Sequence, residues 1–589
     1  MKAAFALLNM LRLYEVTEVF GLPGETTLEL YRAWEDFPDI AYRLCRDERS
    51  SVFMADGYAK ATGKVGVCEG PSVGATHMIP GVAEACAACV PMIVITSDVE
   101  LDTTKKNMLT GFDQTAIFQG VTKETFTITK PAEIPFIVRK AFRCAASGRT
   151  GPVHIRIPMD VYRGEVPDEE IFAQPQFARF PGVRASAAPS DAARAANMIA
   201  SSKRPVMICG QGCVHSGAWK AVRLLAERAV ILVGSTINAK GIFTETHPLS
   251  LGVIGARGGR KWANDIIADA DLIIFAGSST DSAGTDAWRI PDAKLRGSGP
   301  RIIQIDVSET ELGNNYDAVC LLGDAAETLK LILELLPPYS SKSTSPARDE
   351  WAFAARKSGK KYEGHLSEFA DRLGDSVHPL AVCRILERAA PSDTFFAVDP
   401  GISAAYSAAF LKIQAEGRRT AYNFAMGALG YAIPAAIGAR VGIPEDRPVI
   451  ALIGDGSFGF AAGELETAAR VGMNITYILF DNRSFGWIRG TEFADKKSPL
   501  PKSYDKFTMF GKVDYLKIAE GFGLRGYKTA SARELEDIIK ECLTSPGVKL
   551  IALETPPEDA LLPPVPGWFK YAKSASLENL YGAECMGEI

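Results

Sequence analysis

Asp455 and Asn482 each follow an apolar run that is typical of a buried strand, VIALIG and TYILFD respectively. A Gly-Asp-Gly turn and a helix-like stretch lie between the two runs. In an open parallel sheet, neighbouring strands end at the same edge, where ligands bind, so we expect these two side chains to lie together. Their oxygen atoms suit Mg²⁺, which prefers a small oxygen shell completed by phosphate and water. A lone Gly-Asp-Gly is common in ordinary turns, but the second strand end favours a metal site.

The same turn has the composition of an anion-binding loop. Gly454 ends the first strand, and Gly456 and Ser457 open the helix that follows Asp455. The unpaired N–H groups and positive dipole end of a helix start accept phosphate oxygens. The sequence therefore predicts that one loop binds a metal ion together with a diphosphate.

These strands belong to a long chain with the composition of an enzyme. With 589 residues, about three domains are expected, and a hydrophobic content of 47% supports sizeable cores. The 65 basic and 70 acidic residues leave a net charge of -5 and no basic face, which argues against nucleic acid and membrane partners. No apolar run reaches membrane-spanning length. Eleven scattered cysteines without an N-terminal signal pattern predict reduced thiols and a cytoplasmic location.

Strand-like runs alternate with helical stretches in three blocks, which predicts three doubly wound α/β domains with mainly parallel sheets. We place the domains at residues 1–165, 188–336 and 350–560. A Pro- and Phe-bearing connector separates the first two, and a Pro-Pro and Ser-rich linker separates the last two. Residues 561–589 form an irregular aromatic tail, for which we leave open a role as a lid and simple surface packing.

Two other patterns have ordinary explanations. Cys86 and Cys89 form a C-x-x-C, but without a second ligand pair we interpret them as thiols of a small-residue helix. Gly210 and Gly212 follow a strand as in a dinucleotide-binding turn, yet Gly217 departs from the usual spacing. An NAD-dependent dehydrogenase stays as an alternative that rests on these glycines.

Several segments, in order along the chain, resemble the thiamin diphosphate-dependent enzymes of the pyruvate decarboxylase and acetohydroxyacid synthase group. RDERSSVFMADGYAKATGKVGVC resembles the segment with the catalytic glutamate, GPSVGATHMIPGVAEA the helix near the cofactor, and GDG to DN the diphosphate and metal motif. The pattern is most similar to acetolactate synthase-like large subunits. The resemblance implies the three-domain fold with pyrimidine-binding, middle and diphosphate-binding domains.

The resemblance also implies roles for individual residues. Glu48 would hydrogen-bond the aminopyrimidine of thiamin diphosphate and promote loss of the thiazolium C2 proton; an exposed acid at a helix start is the plain alternative. The remaining cofactor and metal positions are Gly401, Ile402 and Ser403 in the first diphosphate loop, Gly427 as a backbone acceptor, Leu429 as the wedge between the rings, Gly454, Gly456 and Ser457, and Asp455, Asn482 and Ser484 around Mg²⁺.

For the substrate pocket, the resemblance points to Gly24, Glu25, His77, Phe112, Gln114 and Trp487, with Lys123 near the channel. Glu69 and His77 replace residues that are usual in close relatives, so each is either a substrate contact or a satisfied polar group. Gln114 could hydrogen-bond a carbonyl group, and Trp487 could set the size of the pocket.

The function implied is decarboxylation of a 2-oxo acid and ligation of the resulting enamine to a second carbonyl compound. A 2-oxo acid decarboxylase, a 2-hydroxyacyl-type carbon–carbon lyase and a non-catalytic subunit are the alternatives. Because Ser279 and Ala283 stand where relatives carry flavin-gripping arginines, while the loop with Arg257 resembles a flavin-proximal segment, FAD, ADP and no nucleotide all stay open. The resemblance implies a homodimer or homotetramer with the active site at the subunit interface.

Overall fold

The computed structural model describes residues 1–103, 106–292, 299–337, 346–496 and 501–556. These residues form three six-stranded sheets with helices between the strands. The predicted fold class, three α/β domains with parallel sheets, is confirmed. The tail predicted at 561–589 and most of the Ser-rich linker lie outside the described residues.

The N-terminal sheet has the strand order β2-β1-β3-β4-β6-β5. Its elements, in chain order, are α1 (Ala3–Leu13), β1 (Glu18–Gly21), α2 (Leu28–Trp34), β2 (Ala41–Leu44), α3 (Glu48–Thr62), β3 (Gly66–Gly70), α4 (Gly74–Ala87), β4 (Met92–Asp98), α5 (Gln114–Gln119), β5 (Glu124–Thr127), α6 (Ile134–Ala146) and β6 (Pro152–Pro158). Strands β3 and β4 are buried along their whole length, as expected for central strands covered on both faces.

The middle sheet has the order β12-β11-β10-β7-β8-β9. Its elements are α7 (Pro189–Ser201), β7 (Pro205–Cys209), α8 (Gln211–Ser216), α9 (Trp219–Ala229), β8 (Leu232–Ser235), β9 (Ser250–Val253), α10 (Lys261–Ala268), β10 (Leu272–Ala276), β11 (Arg301–Asp306), β12 (Val319–Leu322) and α11 (Ala325–Leu335). Alternate residues of β10 enter different hydrophobic clusters: Ile274 packs on one face, and Ile273 and Phe275 pack on the other. Helices therefore cover both faces of this sheet.

The C-terminal sheet has the order β14-β13-β15-β16-β18-β17. Its elements are α12 (Pro346–Arg372), α13 (Pro379–Ala389), β13 (Phe395–Val398), α14 (Ile402–Phe410), β14 (Thr420–Tyr422), α15 (Ala432–Gly442), β15 (Val449–Gly454), α16 (Asp455–Ala461), α17 (Glu464–Arg470), β16 (Ile475–Asp481), α18 (Gly486–Lys496), α19 (Asp505–Thr508), α20 (Tyr515–Gly521), β17 (Arg525–Thr529), α21 (Ala532–Thr544) and β18 (Val548–Glu554).

By its internal packing the chain divides into two compact units. One comprises Met1–Val183, Asn423–Val449 and Gly459–Ile475, and the other comprises the rest of the described chain. The first unit therefore contains the N-terminal sheet together with α15 and α17. In the described ranges, every helix is too short or too polar to cross a lipid bilayer.

Glycine permits the closest helix contact of the first unit, between α3 and α15. A Cβ atom on Gly57 would collide with the carbonyl group of Ala435, and one on Gly438 would collide with that of Met54. The two backbones approach each other at these points because neither glycine carries a side chain. Helix α3 is accordingly buried along almost its entire length.

Candidate functional site

The Glu48 carboxyl group lies at the first turn of α3 and is nearly buried. Asp47 caps the helix by accepting the Arg49 N–H at 2.8 Å, which fixes where α3 begins. Glu48 is 5% exposed, and its Oε2 atom lies 3.0 Å from Nδ1 of His77 on α4. A Cβ atom on Gly74 would stand 2.5 Å from Glu48 Oε1, so glycine leaves room for this carboxyl group.

A second carboxyl group in the same unit holds the loop that contains Gly427. Glu84 of α4 is fully buried and accepts the backbone N–H groups of Ala425, Met426 and Gly427 at 3.0, 2.7 and 2.9 Å. Gly427 has φ of 77°, a conformation that strains other residues, and open space lies where its side chain would project. Burial raises the pKa of Glu84. One buried carboxyl group therefore holds three successive N–H groups of this loop.

Helix α3 also holds the chain just beyond this loop. Asp56 accepts a hydrogen bond from the Tyr431 hydroxyl at 2.5 Å and pairs with Lys60 at 2.8 Å. Both charged side chains are buried, at 1% and 6% exposure. Leu429, the predicted wedge, lies between the two anchors and is half-buried. The segment 425–431 is therefore fixed at both ends, with Leu429 and Gly427 between the fixed points.

In the second unit, the ends of β15 and β16 bring the predicted metal ligands to one sheet edge. The strands are paired in parallel with Gly454 opposite Phe480, so the residues that follow them are neighbours. Asp455 Oδ1 accepts the Gly456 N–H at 2.8 Å, while Oδ2 is buried and has no hydrogen-bond partner among the described residues. The Ser484 N–H donates to Asn482 Oδ1 at 3.2 Å.

A second acidic group at this edge was not among the predicted ligands. Asp481 ends β16, and its Oδ1 atom is likewise buried with no partner in the described chain. Burial, reinforced by the charge of Asp481, raises the pKa of Asp455 to about 7, and burial raises the pKa of Asp481 too. Two crowded carboxylates resist carrying negative charge without a cation. The donor set, two carboxylates, an amide and nearby backbone, fits Mg²⁺.

The first diphosphate loop lies at the start of α14. Gly401 has φ of 104° and precedes this nine-residue helix, so the N–H groups of Ile402 and Ser403 are at its positive end. A Cβ atom on Gly401 would be 3.9 Å from Cβ of Trp487, which places the predicted pocket residue beside the loop. The guanidinium of Arg257 lies 4.8 Å from the centre of the Trp487 ring.

Gly456 and Gly454 differ in what surrounds them. A Cβ atom on Gly456 would stand 2.8 Å from the Phe485 ring, so packing alone requires glycine there. At Gly454, nothing lies within 4 Å of the Cβ position. Ser457 is buried. The turn therefore has an open side at Gly454 and a packed side at Gly456.

The remaining predicted substrate residues lie in the first unit in different surroundings. Glu25 is exposed, Gly24 packs against Pro71, and Phe112 is half-buried. Gln114 is fully buried: its amide donates to Ser72 Oγ at 3.2 Å and accepts from Thr96 Oγ1 at 2.5 Å. These contacts join the start of α5 to β4 and to the segment before α4, and the role of Gln114 as a substrate contact stays a prediction.

Glu69 occupies a buried cage of two tyrosines. Its Oε1 atom accepts hydrogen bonds from the hydroxyl groups of Tyr31 and, at 2.5 Å, Tyr42, while Oε2 is buried with no partner among the described residues. Burial raises the pKa of Glu69 to about 7. Glu69 is therefore buried with only one of its two oxygens bonded among the described residues, and its role as a substrate contact stays a prediction.

Structural packing accounts for the glycines that suggested a dinucleotide site. Cβ atoms on Gly210 and Gly212 would collide with or crowd Gly277 of the adjacent loop. Both N–H groups donate to that neighbouring segment, to Ala276 O and Gly277 O, each at 2.9 Å. The turn is therefore filled by protein. All described cysteines are free thiols, including Cys86 and Cys89, and Lys123 donates to two carbonyl groups at the end of α6.

Sequence reasoning missed two residues that the structure places at these sites. Glu84 is on a helix, where an acid is usually solvated, and no local pattern shows that it faces the backbone of a loop more than 340 residues away. Asp481 is adjacent to Asn482, and its position at the end of a buried strand is the signal that could have identified it.

Three family models match the chain in order. They are the N-terminal TPP binding domain of thiamine pyrophosphate enzymes at residues 1–117, the central domain of these enzymes at 192–332, and their C-terminal TPP binding domain at 399–553. Together these matches cover well over half of the chain.

Curated relatives match nearly the whole length. A probable acetolactate synthase large subunit of Methanocaldococcus jannaschii is 32% identical, over 96% of this chain and 94% of its own. An acetolactate synthase of Arthrospira platensis is 30% identical over 95% of each chain. An acetolactate synthase large subunit of Pyropia yezoensis is 30% identical over 93% of this chain and 91% of its own.

Proposed function

Because the chain belongs to the thiamine pyrophosphate enzyme family, we propose that it is a thiamin diphosphate- and Mg²⁺-dependent enzyme that decarboxylates a 2-oxo acid and joins the remaining acyl unit to a second carbonyl compound. Dependence on thiamin diphosphate is given by the family. The carboligation and the metal are the proposal. The names of the relatives, all acetolactate synthases, support this outcome over simple decarboxylation.

The observation that carries the proposal is the state of the Glu48 carboxyl group. It is nearly buried, Oε2 lies 3.0 Å from Nδ1 of His77, and Oε1 occupies the space that the absence of a side chain at Gly74 leaves for it. A carboxyl group so placed can donate or accept one proton at Oε1 while its orientation stays fixed. We assign to it the hydrogen bond to the pyrimidine ring of the cofactor.

The other residues bind and orient the cofactor. Asp455, Asn482 and the Ser484 carbonyl group would hold Mg²⁺, and the N–H groups at the start of α14 would take diphosphate oxygens. Gly427 would offer its carbonyl group to the cofactor, and Leu429 would separate the two rings. When bound, thiamin diphosphate supplies the carbon nucleophile and the electron sink for loss of CO₂.

We further propose that the active species is a homo-oligomer in which two copies of the chain share each site. The support is the resemblance to a family in which the pyrimidine-binding and diphosphate-binding domains of different subunits face one cofactor. Both kinds of domain are present in this chain.

Product analysis tests the reaction. The purified protein is incubated with thiamin diphosphate, Mg²⁺, a panel of 2-oxo acids and a panel of acceptor carbonyl compounds, and products are identified by mass spectrometry. We expect a hydroxy-oxo acid formed from two carbonyl compounds with release of CO₂. If an aldehyde is the sole product, the enzyme is a decarboxylase and not a carboligase. Cleavage of a 2-hydroxyacyl compound would indicate a lyase. An absorption spectrum of the same sample shows whether flavin is bound.

The metal assignment has its own test. We expect Asp455→Ala to release thiamin diphosphate during gel filtration in Mg²⁺, because the variant loses a ligand of the ion that holds the diphosphate. Asp537→Ala, on the exposed face of α21, is the matched control. Cofactor retention by Asp455→Ala at the level of this control would contradict the metal role.

A further inference from the structure

The imidazole of His77 lies beside Glu48, the acid to which the proposed function assigns proton exchange with the cofactor. Nδ1 of His77 lies 3.0 Å from Glu48 Oε2, across 29 residues of sequence. The two residues differ sharply in exposure: the His77 side chain is 58% exposed and the Glu48 side chain 7%. In the single chain, the imidazole therefore joins a nearly buried carboxyl group to an exposed position.

We propose that His77 is a proton relay that exchanges protons between the Glu48 carboxyl group and solvent. The proposal rests on the function proposed above, in which Glu48 exchanges a proton with the cofactor at every turnover. A carboxyl group that is nearly buried exchanges slowly with water by itself, whereas an imidazole has two nitrogens on opposite sides of its ring.

Protons pass through the two oxygens of Glu48. Oε1 takes up a proton from the cofactor, whose bond to that proton breaks, while Oε2 gives its own proton to Nδ1 of neutral His77. One O–H bond forms, one O–H bond breaks and one N–H bond forms, so the carboxyl group stays neutral. The imidazolium then loses its Nε2 proton to water or a buffer base. The reverse sequence returns a proton to Oε2 and releases one from Oε1, and no electrons are transferred. The described residues offer Nε2 no hydrogen-bond partner, and the His77 side chain is 58% exposed in the single chain.

Three charged side chains lie near the pair. The acceptor atoms of Asp47 and Glu48 and the imidazole nitrogen lie within 4.8 Å of one another. Glu69 on β3 interacts electrostatically with Glu48. Arg49 is a nearby cation, and it lies 3.6 Å from Asp47.

An alternative role for His77 is contact with the substrate, and the sequence left it open. The two roles separate in experiments without substrate. A substrate contact affects KM for the 2-oxo acid but not proton exchange at C2 of the bound cofactor, whereas a relay affects that exchange.

The decisive experiment measures hydrogen–deuterium exchange at C2 of bound thiamin diphosphate by quenched-flow NMR, without substrate. We expect His77→Asn to retain the cofactor, because an amide and an imidazole can both hydrogen-bond Glu48. We expect the variant to slow C2 exchange at least tenfold. This minimum is smaller than the effect of about 10² to 10⁴ typical of direct general acid–base groups, because His77 acts through Glu48. In His77→Ala, added imidazole should restore exchange. Unchanged exchange in His77→Asn, or no rescue of a slowed His77→Ala, would overturn the relay.

A second measurement uses the cofactor-free protein. We expect the ¹⁵N resonance of His77 Nδ1 to move when Glu48 is replaced in Glu48→Gln, because its hydrogen-bond partner changes from a carboxyl group to an amide. His154, buried and bonded to Thr96 and Thr125, is the control resonance. An unmoved His77 signal would contradict the contact itself. Failure of the wild-type protein to exchange C2 protons at all would instead contradict the proposed function.

Discussion

At the level of single residues, the two oxygens of Glu48 have different surroundings, which would give them different roles in the proposed reaction. Oε2 is held by His77, which fixes the plane of the carboxyl group, and Oε1 lies over Gly74. Any side chain at position 74 would displace the carboxyl group. The position of this acid is therefore set by a histidine and a glycine on the same helix, α4.

We predict that Glu48→Gln binds thiamin diphosphate but exchanges its C2 proton at least 100-fold more slowly than the wild-type protein. The amide keeps the size of the side chain and loses the exchangeable acid proton, and general acid–base groups contribute about 10² to 10⁴. Exchange is measured by NMR and binding by calorimetry. Exchange at the wild-type rate in a variant that retains cofactor would remove Glu48 from the mechanism.

The ionisation of Glu69 lowers the free energy of unfolding as the pH rises, whereas ionisation of an ion-paired acid raises it. Burial raises its pKa in the folded protein from 4.5 to about 7. Between these values the folded protein keeps the proton and the unfolded chain has lost it, so ionisation favours unfolding. The contribution of Glu69 to stability is complete below about pH 4.5, is lost as the pH rises to about 7, and is constant above that.

In the wild-type protein, we expect Glu69 to lower the free energy of unfolding by about 3 kcal/mol between pH 4.5 and 8, which is the change in the pKa of Glu69 converted to energy. We predict that this decrease is absent in Glu69→Gln, because the amide does not ionise. Urea unfolding at a series of pH values measures it, with the exposed Glu169→Gln as the control. If the wild-type protein and Glu69→Gln show parallel pH profiles, the buried acid does not titrate in this range.

At the level of elements, the loop between β14 and α15 depends on helix α4 for its shape. Three successive N–H groups of the loop share one buried carboxylate, Glu84. A hydrogen bond to a charged group contributes about 1.5 to 3 kcal/mol. One side chain therefore holds the conformation in which Gly427 and Leu429 would meet the cofactor under the proposed function.

We predict that Glu84→Gln increases amide hydrogen exchange at residues 425–427 at least tenfold and lowers kcat more than it changes KM for the 2-oxo acid, because the amide has one acceptor oxygen instead of two charged ones. Glu84→Asp should restore part of the protection. Glu464→Gln is the matched control, because Glu464 is another buried acid of the same unit and accepts the Arg46 N–H. Equal protection of the loop in both variants would show that Glu84 does not anchor it.

Some positions of the candidate site could be predicted from the sequence. The placement of Asp455 and Asn482 at one sheet edge was predictable, because apolar runs mark the strands and neighbouring parallel strands end at the same edge. The glycines at 210 and 212 were ambiguous because a close backbone contact and a phosphate require the same residue type. The contacts of Glu84 and His77 join residues that are distant in sequence. Hydrophobic periodicity predicts which face of a helix is buried, but it does not predict which residues that face contacts.

At the level of the whole molecule, a shared site predicts complementation between two inactive variants. In the proposed oligomer, Glu48 from one copy and Asp455 from another serve the same cofactor. Random mixing of Glu48→Gln and Asp455→Ala chains should restore about a quarter of wild-type activity, since half of the dimers are hybrids and each hybrid has one intact site. The measurement is carboligation after mixed refolding. A mixture as inactive as its components would place both residues in the site of a single copy.

Helix α3 sets a limit on how this chain can vary in length. Glu48 begins the helix, and Asp56 and Lys60 bind Tyr431 from its third and fourth turns. Each residue added to a helix rotates everything after it by about 100° and advances it by about 1.5 Å. A single inserted or deleted residue between positions 48 and 56 would point Asp56 away from the tyrosine hydroxyl. The spacing along this helix is therefore as constrained as its side chains, and alignments of related chains should contain no gap there.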